Sequence, residues 1–139
     1  MPTITMRTTG PIFDNPNPIV RRGANHMIKD VAQEGEGRLD QILRPRPAGV
    51  YLSVQEAGRG QASTGNYRRH LQTTFRDRHA RIDDGNVIYG PWLEGTGSRN
   101  ASTHFKGYSS FRKTAQWLRQ QMPRFVNKWA GRIARDMGG

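Results

Sequence analysis

Two stretches of the chain, one near each end, carry apolar residues at helical spacing. The later stretch predicts an amphipathic helix over about 110–136, because intervals of three and four residues place its apolar side chains on one face. These side chains are Phe111, Ala115, Leu118, Met122, Phe125, Trp129 and Ile133. The earlier stretch predicts a helix over about 18–43, with Asn17 as N-cap and Pro18 at the first helical position. Its apolar stripe comprises Val20, Ala24, Met27, Val31, Leu39 and Ile42.

Between the helices, apolar residues follow the twofold alternation of β-strands. Val50, Leu52 and Val54 alternate with polar neighbours, as in a strand with one buried face. Residues 57–66 have no large apolar residue to anchor them, so we expect a flexible loop there. Strands interrupted by this loop are therefore expected over 49–89.

Further strand candidates follow that loop, at 67–76 and 78–82. The sequence Asp83-Asp84-Gly85-Asn86 is typical of a hairpin turn, because Asp and Asn hydrogen-bond their own backbone and glycine accepts a positive φ. This turn leads into a short apolar run, Val87-Ile88-Tyr89, which is the last strand candidate.

The N-terminal residues 2–8 alternate weakly and fit either a short edge strand or an arm. We assign residues 1–16 to an extended arm that becomes ordered on assembly. A length of 139 residues fits one domain. The pattern as a whole predicts an α+β fold, with a small, mostly antiparallel sheet flanked by a long N-terminal and a long C-terminal helix.

The composition indicates a chain with many loops and a lean core. Hydrophobic residues make up 34% of the sequence, the mean hydropathy is −0.82, and Gly and Pro together contribute 24 residues. Such a chain is expected to gain order from partners that cover surface it cannot bury alone. No apolar run reaches the roughly 18 to 20 residues of a membrane span, and the first residues lack the order of a signal peptide. We therefore expect a protein made in the cytoplasm that contacts no membrane.

Positive charge is concentrated in the second half of the chain. Residues 1–40 carry five basic and five acidic side chains, whereas residues 86–139 carry nine and two, within a total net charge of +11. Such an excess indicates contact with nucleic acid or with an acidic protein surface. The candidate basic face lies on the last helix and comprises Arg112, Arg119, Arg124, Lys128 and Arg132. The alternative is a solvated helix face without a partner.

The sequence contains no convincing catalytic, cofactor or metal constellation. It has no cysteine, and its four histidines do not pair at metal-ligand spacing on a predicted helix. The pair Asp83-Asp84 fits a divalent cation less well than it fits a turn. We therefore expect no enzyme activity, no cofactor and no bound metal.

One carboxylate, Glu94, is isolated among basic residues in the last part of the chain. It follows Tyr89-Gly90-Pro91-Trp92-Leu93 and precedes a glycine-rich segment that contains Arg99. Its nearest basic neighbours in sequence are Arg99 and Lys106. Glu94 is expected to form either a surface salt bridge, worth under about 1 kcal/mol, or an ion pair that locks the loop or crosses a subunit boundary.

The segment around Glu94, residues 87–108, resembles the neck or tail-completion proteins of long-tailed double-stranded DNA bacteriophages. Members carry a Tyr-Ala/Gly-x-x-x-Glu-x-Gly-Thr segment, followed by an Ala and a Phe before a final helix. The matching positions here are Tyr89, Gly90, Glu94, Gly95, Thr96, Ala101 and Phe105. The order Glu94-Gly95-Thr96-Gly97 departs from the usual Glu-Phe-Gly-Thr. Lys106-Gly107-Tyr108 likewise stands where Leu-Arg-Pro is common.

The resemblance implies a structural virion protein without catalytic activity. Such proteins form rings, commonly hexamers, at the head–tail junction, between the head-side connector or stopper and the tail terminator or tail tube. Genomic DNA passes through the lumen of the ring. The chain would thus be made in the host cytoplasm and located in the virion. The alternatives are a tail terminator or minor tail protein, or a small basic nucleic-acid-binding protein.

The resemblance also places the contact surface in the motif loop, residues 89–108. The proposed interface residues are Tyr89, Trp92, Glu94, Arg99 and Phe105. With Glu94 at an interface, the substitution Glu94→Lys is expected to leave the monomer folded while blocking the joining of heads to tails.

Overall fold

The computed structural model describes residues 1–10, 12–43, 66–103 and 107–138. Within these ranges the chain has the predicted α+β fold, with a three-stranded antiparallel sheet and two long helices. The elements in chain order are β1 (Thr3–Arg7), α1 (Pro18–Ile42), α2 (Asn66–Arg69), β2 (Gln72–Arg76), β3 (His79–Asp83), α3 (Gly90–Glu94), α4 (Arg99–Thr103) and α5 (Ser110–Asp136). The predicted strand at 50–54 and almost all of the predicted loop at 57–66 lie outside the described residues.

Both long helices confirm the periodic stripes of the sequence. The side chain of Asn17 caps α1 as predicted, since its Oδ1 accepts a hydrogen bond from the backbone N–H of Ile19 at 2.8 Å. α1 ends one residue before its expected limit, and α5 spans the expected range without a break at Pro123. Apolar periodicity is therefore sufficient to locate the two largest elements.

The two long helices run antiparallel and in close contact. Near the start of α1, a Cβ added to Gly23 would lie 2.3 Å from Cγ1 of Ile133, near the end of α5. Further along α1, a Cβ on Gly35 would lie 3.2 Å from Cδ1 of Leu118, in the first half of α5. Glycine at these positions thus permits the close approach of the helices that a larger side chain would prevent.

The sheet has the strand order β1-β3-β2, with antiparallel pairing on both sides of β3. Ile82 of β3 pairs with Ile4 of β1 and with Thr73 of β2. Ile4 and Met6 are buried while their neighbours in β1 are exposed, which is the alternation of an edge strand that packs on a core. The assignment of residues 3–7 to an extended arm is therefore wrong, and the edge-strand alternative is confirmed.

The hydrophobic core lies between the sheet and the two long helices. Its largest fully buried apolar side chains come from α1, β3, α3 and the residue that follows α1: Val31, Leu39, Leu43, Ile82 and Leu93. The α5 stripe contributes Phe111, Leu118, Phe125, Trp129 and Ile133, which are buried. Its other two members, Ala115 and Met122, remain partly exposed.

Three sequence predictions between 67 and 108 are wrong in part. Of the strand candidate 67–76, only Gln72–Arg76 is a strand, because Asn66–Arg69 forms α2. Residues 87–89 are not a strand, since Gly90-Pro91 begins a helix and the Gly90 N–H closes a turn onto Val87 O at 2.9 Å. The predicted motif loop contains two short helices, α3 and α4.

Candidate functional site

The turn after β3 uses buried carboxylates to shape the backbone before the motif. The Oδ1 of Asp83 accepts the Gly85 N–H at 2.8 Å, and the Oδ1 of Asp84 accepts the Asn86 N–H at 3.0 Å. Gly85 and Asn86 take positive φ values of 69° and 58°, which such turns require. A turn is present as predicted, but it is not a hairpin turn, because residues 87–89 do not form a second strand. The carboxylates of Asp83 and Asp84 each accept a hydrogen bond from the turn's own backbone. Across the described ranges, no group of three or more histidine or acidic side chains is placed to hold a metal ion.

The second oxygen of Asp84 ties this turn to α2 and to the start of α3. Asp84 Oδ2 accepts a hydrogen bond from the Tyr67 hydroxyl at 2.9 Å, inside the protein. Burial, together with the neighbouring Asp84 carboxylate, raises the pKa of Tyr67 far above its usual range, so the phenol remains a donor. A Cβ on Gly90 would lie 1.9 Å from the same oxygen, so a larger residue at this position would force the Asp84 side chain to shift.

Within the motif loop, residues 90–97 form a tight helical turn. The carbonyl oxygen of Pro91 accepts the N–H groups of Gly95 and Thr96 at 2.9 Å and of Gly97 at 3.1 Å. Gly95 ends α3 in the left-handed region, with φ 99°, as helix C-termini often do. The Asn100 side chain reinforces the turn, since its Nδ2 donates to Trp92 O at 2.9 Å. Residues 90–97 are therefore held in a compact turn by backbone hydrogen bonds and by the Asn100 side chain.

Glu94 caps the N-terminus of α5. Its Oε1 accepts the Phe111 N–H at 2.9 Å and lies 3.3 Å from the Ser110 hydroxyl, while its Oε2 accepts the Arg112 N–H at 3.0 Å. The N-cap residue, Ser109, forms no capping bond with its own side chain. The first N–H groups of a helix have no intrahelical partner and carry partial positive charge, so a carboxylate there is stabilising.

This geometry corrects the sequence-based account of Glu94. The residue is only 8% exposed, so its assignment to a surface salt bridge is wrong. It does lock the loop, but through the backbone N–H groups of α5. We therefore expect Glu94→Lys to destabilise the monomer, in contrast to the folded variant expected from the sequence.

A backbone contact fixes the other side of the motif to the segment before α5. Gly107 has φ 82°, and a Cβ there would lie 2.4 Å from the Cα of Gly95. Next to it, the Tyr108 N–H donates to Leu93 O at 2.7 Å. Together with the Glu94 cap, these contacts join α3 and α5 into one unit.

The remaining interface residues of the sequence analysis differ in how far they are described. Tyr89 and Trp92 are half-buried, and the ring of Tyr89 lies tilted against that of Tyr67, with a centroid distance of 5.9 Å. Phe105 lies outside the described residues, and of Arg99 only the backbone is described, at the start of α4.

Ile88 is a surface residue that its sequence pattern does not indicate. Its side chain is 95% exposed, immediately before the motif turn. In sequence, Ile88 belongs to an apolar run that is typical of a strand, and this pattern obscured its exposure.

The five residues of the predicted basic face do not form one continuous surface. Arg112 and Arg119 lie on the side of α5 that faces β1, where they line grooves shared with the N-terminal residues. On the opposite side, Lys128 Nζ lies 3.0 Å from Asp30 Oδ2, and Arg124 lies 3.8 Å from Glu34. Acidic residues of α1 therefore form ion pairs with two of the five basic residues.

Asp30 of α1 joins the two long helices through polar contacts with α5. Its Oδ2 accepts hydrogen bonds from Lys128 Nζ at 3.0 Å and from Trp129 Nε1 at 2.7 Å. Burial opposes the ionisation of this carboxyl group, but the hydrogen bonds from Lys128 and Trp129 outweigh it and lower the pKa of Asp30. Arg132 stacks on the ring of Trp129 at 4.8 Å, so this cation also packs against the chain.

No helix in the described ranges combines the length and the apolar character that crossing a membrane requires. Comparisons with protein-family models, with curated proteins and with solved structures find no match to this chain. Its function is therefore argued from its own geometry and from the sequence resemblance at residues 87–108.

Proposed function

We propose that this chain is a structural protein of the neck of a long-tailed bacteriophage. In this proposal, copies of the chain form a ring, a hexamer, at the head–tail junction. The ring joins the head-side connector or stopper to the tail terminator or tail tube, and it surrounds the path of the DNA. The resemblance at residues 87–108 suggests this function, and a small sheet packed against two long helices is compatible with it.

The observation that carries the proposal is a rigid motif beside an exposed apolar residue. The cap from Glu94 and the contact between Gly95 and Gly107 fix the motif to the longest helix. Next to it, Ile88 exposes almost its whole side chain, and Pro91 and Trp92 are half-exposed. Apolar and aromatic side chains on a fixed backbone are typical of protein contacts, because little conformational freedom is lost on binding.

The contact surface in this proposal differs from the one expected from sequence. Glu94 is buried, so it positions the surface and does not touch the neighbouring subunit. Ile88 takes its place as a contact residue, beside Tyr89 and Trp92. A ring requires two different surfaces on each subunit, because its contacts are head-to-tail and close on themselves. The motif surface would supply one of the two.

The ion pairs between the long helices weigh against a general nucleic-acid-binding protein. Lys128, one of the phosphate contacts in that alternative, lies beside Asp30, and Arg124 of the same predicted basic face lies beside Glu34. Basic residues outside these two ion pairs would contact acidic neighbouring rings or DNA in the lumen. A tail terminator or minor tail protein is the other alternative, at a neighbouring position in the same particle.

The test is immunogold electron microscopy of phage particles and cell lysates, with antibody against this chain. Gold at the junction of head and tail is the expected result. Label along the tail would favour the terminator or minor tail alternative. Absence from particles, together with recovery of the chain on nucleic acid, would overturn the proposal.

A further inference from the structure

A groove of about 640 Å³ runs between β1 and α5, and none of its lining residues belongs to the motif loop. Its α5 wall includes Ala115, Met122 and Val126, which are half-buried and only partly covered by the chain. Ile28 and Val31 of α1 form part of its floor. The apolar stripe of α5 is thus wider than β1 alone can cover.

The other wall of this groove is the outer edge of β1. Antiparallel strands alternate between residues that bond to the partner strand and residues whose backbone points away from it. The Thr8 N–H donates to Arg78 O at 3.2 Å, so this alternation directs the N–H and C=O groups of Thr5 and Arg7 away from β3. Among the described strands, none pairs with this edge. Such an edge is a template for an added strand.

The groove is lined at its rim by basic and polar side chains. Arg7 and Arg119 line it, and no Asp or Glu does. Within the described ranges neither arginine takes part in an ion pair. At the same wall, the Thr8 hydroxyl is buried without a hydrogen-bond partner. A carboxylate-bearing occupant would match both arginines.

We propose that this groove binds an extended, acidic segment of another protein by strand addition to β1. The segment forms backbone hydrogen bonds with Thr5 and Arg7, places alternate apolar side chains against Met122 and Val126, and directs carboxylates to Arg7 and Arg119. β-Strand addition gives affinity through the backbone and specificity through alternate side chains. This inference concerns a second surface and does not depend on the proposed function.

The charge of the chain favours another protein over the other occupants. A second copy would bring a further net charge of +11 to a basic rim. Nucleic acid would satisfy the arginines, but it would leave the apolar wall and the strand edge unused. These two occupants are outcomes that the experiment distinguishes.

The experiment selects ligands from a messenger-RNA-displayed library of random nonapeptides, using the whole chain as bait. We expect enrichment of peptides with apolar residues at alternate positions and at least one Asp or Glu. The parallel selection uses Thr5→Pro, which removes one of the outward N–H groups of β1. Proline is tolerated there because the bonds to β3 come from other residues. Circular dichroism and thermal unfolding establish that this variant is folded.

The best enriched peptide is then measured by fluorescence anisotropy. Thr5→Pro and Arg119→Glu are each expected to weaken its binding at least tenfold. Lys113→Glu is the matched control, because Lys113 is exposed on α5 outside the groove, and we expect a change of less than twofold.

Four results would overturn the inference. The first is equal enrichment by wild type and by folded Thr5→Pro. The second is selection of peptides without alternation or without acidic residues. The third is a dimer in sedimentation velocity that Thr5→Pro dissociates, since this would assign the edge to a second copy. If Arg119→Glu instead abolishes binding of duplex DNA and leaves peptide binding unchanged, the groove belongs to nucleic acid.

Discussion

The side chain of Glu94 caps α5 through a contact between residues 17 positions apart in sequence: Glu94 Oε1 accepts the backbone N–H of Phe111 at 2.9 Å. Helix caps usually come from the residue directly before the helix. Here that residue, Ser109, has φ 52° and forms no such bond. The motif carboxylate therefore completes α5 from a distance, and the shape of the motif and the start of the helix depend on each other.

Removing the cap should cost a large part of the stability of the chain. We expect Glu94→Ala to lower the free energy of unfolding by about 2–3 kcal/mol, because two charged hydrogen bonds at a helix N-terminus are lost. Glu94→Gln should cost about half as much, since its amide keeps one acceptor oxygen. Urea denaturation measured by circular dichroism at constant pH gives both values.

The control for the Glu94 variants is Glu34→Gln. Glu34 lies 3.8 Å from Arg124 in a largely exposed pair, so we expect a loss of no more than about 1 kcal/mol. If Glu94→Ala is no more destabilising than this control, the cap does not stabilise α5.

A second prediction concerns the close packing behind α3. Gly90→Ala would place a methyl group 1.9 Å from Asp84 Oδ2, so the Tyr67–Asp84 hydrogen bond and the turn must shift. We expect a destabilisation of about 1–3 kcal/mol, typical of overpacking. Gly37→Ala is the matched control, because a Cβ at this position of α1 meets nothing within 4 Å. This variant should be stabilised by about 0.5–1 kcal/mol, since alanine favours a helix more than glycine does. Thermal unfolding measures both variants. A lower midpoint temperature for Gly90→Ala and a higher one for Gly37→Ala support this packing, whereas shifts in the same direction contradict it.

The periodic parts of the fold follow from the sequence, but the connections of the motif do not. The stripe from Phe111 to Ile133 is sufficient to predict α5, because a helix of this length buries one face regardless of its partner. In contrast, Val87-Ile88-Tyr89 reads as a strand because its local pattern is apolar. Gly90-Pro91 instead begins a helix, since proline fits the first helical turn.

The hydrogen-bond donors to Glu94 cannot be predicted from the sequence, for a different reason. Sequence reasoning pairs a carboxylate with nearby basic side chains, and it named Arg99 and Lys106. The actual donors are backbone N–H groups, which every residue except proline carries and which no side-chain pattern marks. Their position depends on the packing of α3 against α5. The division of the predicted basic face likewise depends on where α1 places Asp30 and Glu34.

The third prediction uses the pH dependence of the Asp30 contact. The pKa of this carboxyl group is lowered below its ordinary value of 3.8 in the folded chain. Its contribution to stability is therefore present above that value and is lost as the pH falls through the lowered pKa. We expect the difference in unfolding free energy between wild type and Asp30→Asn to be constant above about pH 5 and to shrink toward pH 2.

The matching control is Asp136→Asn, at the exposed end of α5, where the described residues provide no ion pair. Its unfolding free energy should follow that of wild type over the same pH range. A difference between wild type and Asp30→Asn that grows on acidification would reverse the assigned sign.

The fourth prediction concerns DNA. A ring protein that lets DNA pass should bind duplex DNA weakly and with little dependence on salt. A dedicated binder with 6–10 phosphate contacts would lose roughly 10³–10⁵ in affinity between 50 and 200 mM salt. Filter binding at these two concentrations separates the cases, and tight, steeply salt-dependent binding would favour the nucleic-acid alternative.

The fifth prediction concerns the contact surface beside the motif. Ile88→Asp should change the free energy of unfolding by less than about 0.5 kcal/mol, because the side chain is exposed. In the ring it would place a charge in an apolar contact and block assembly. Met137→Asp is the control, since Met137 is also exposed but lies at the far end of α5.

The most direct test of the central claim is a joining assay with separated phage heads and tails prepared without this chain. Adding purified wild-type chain, or Met137→Asp, should restore joined, infectious particles, whereas folded Ile88→Asp should leave heads and tails apart. Joined particles in the absence of the chain, or equal joining with Ile88→Asp, would contradict the proposed role.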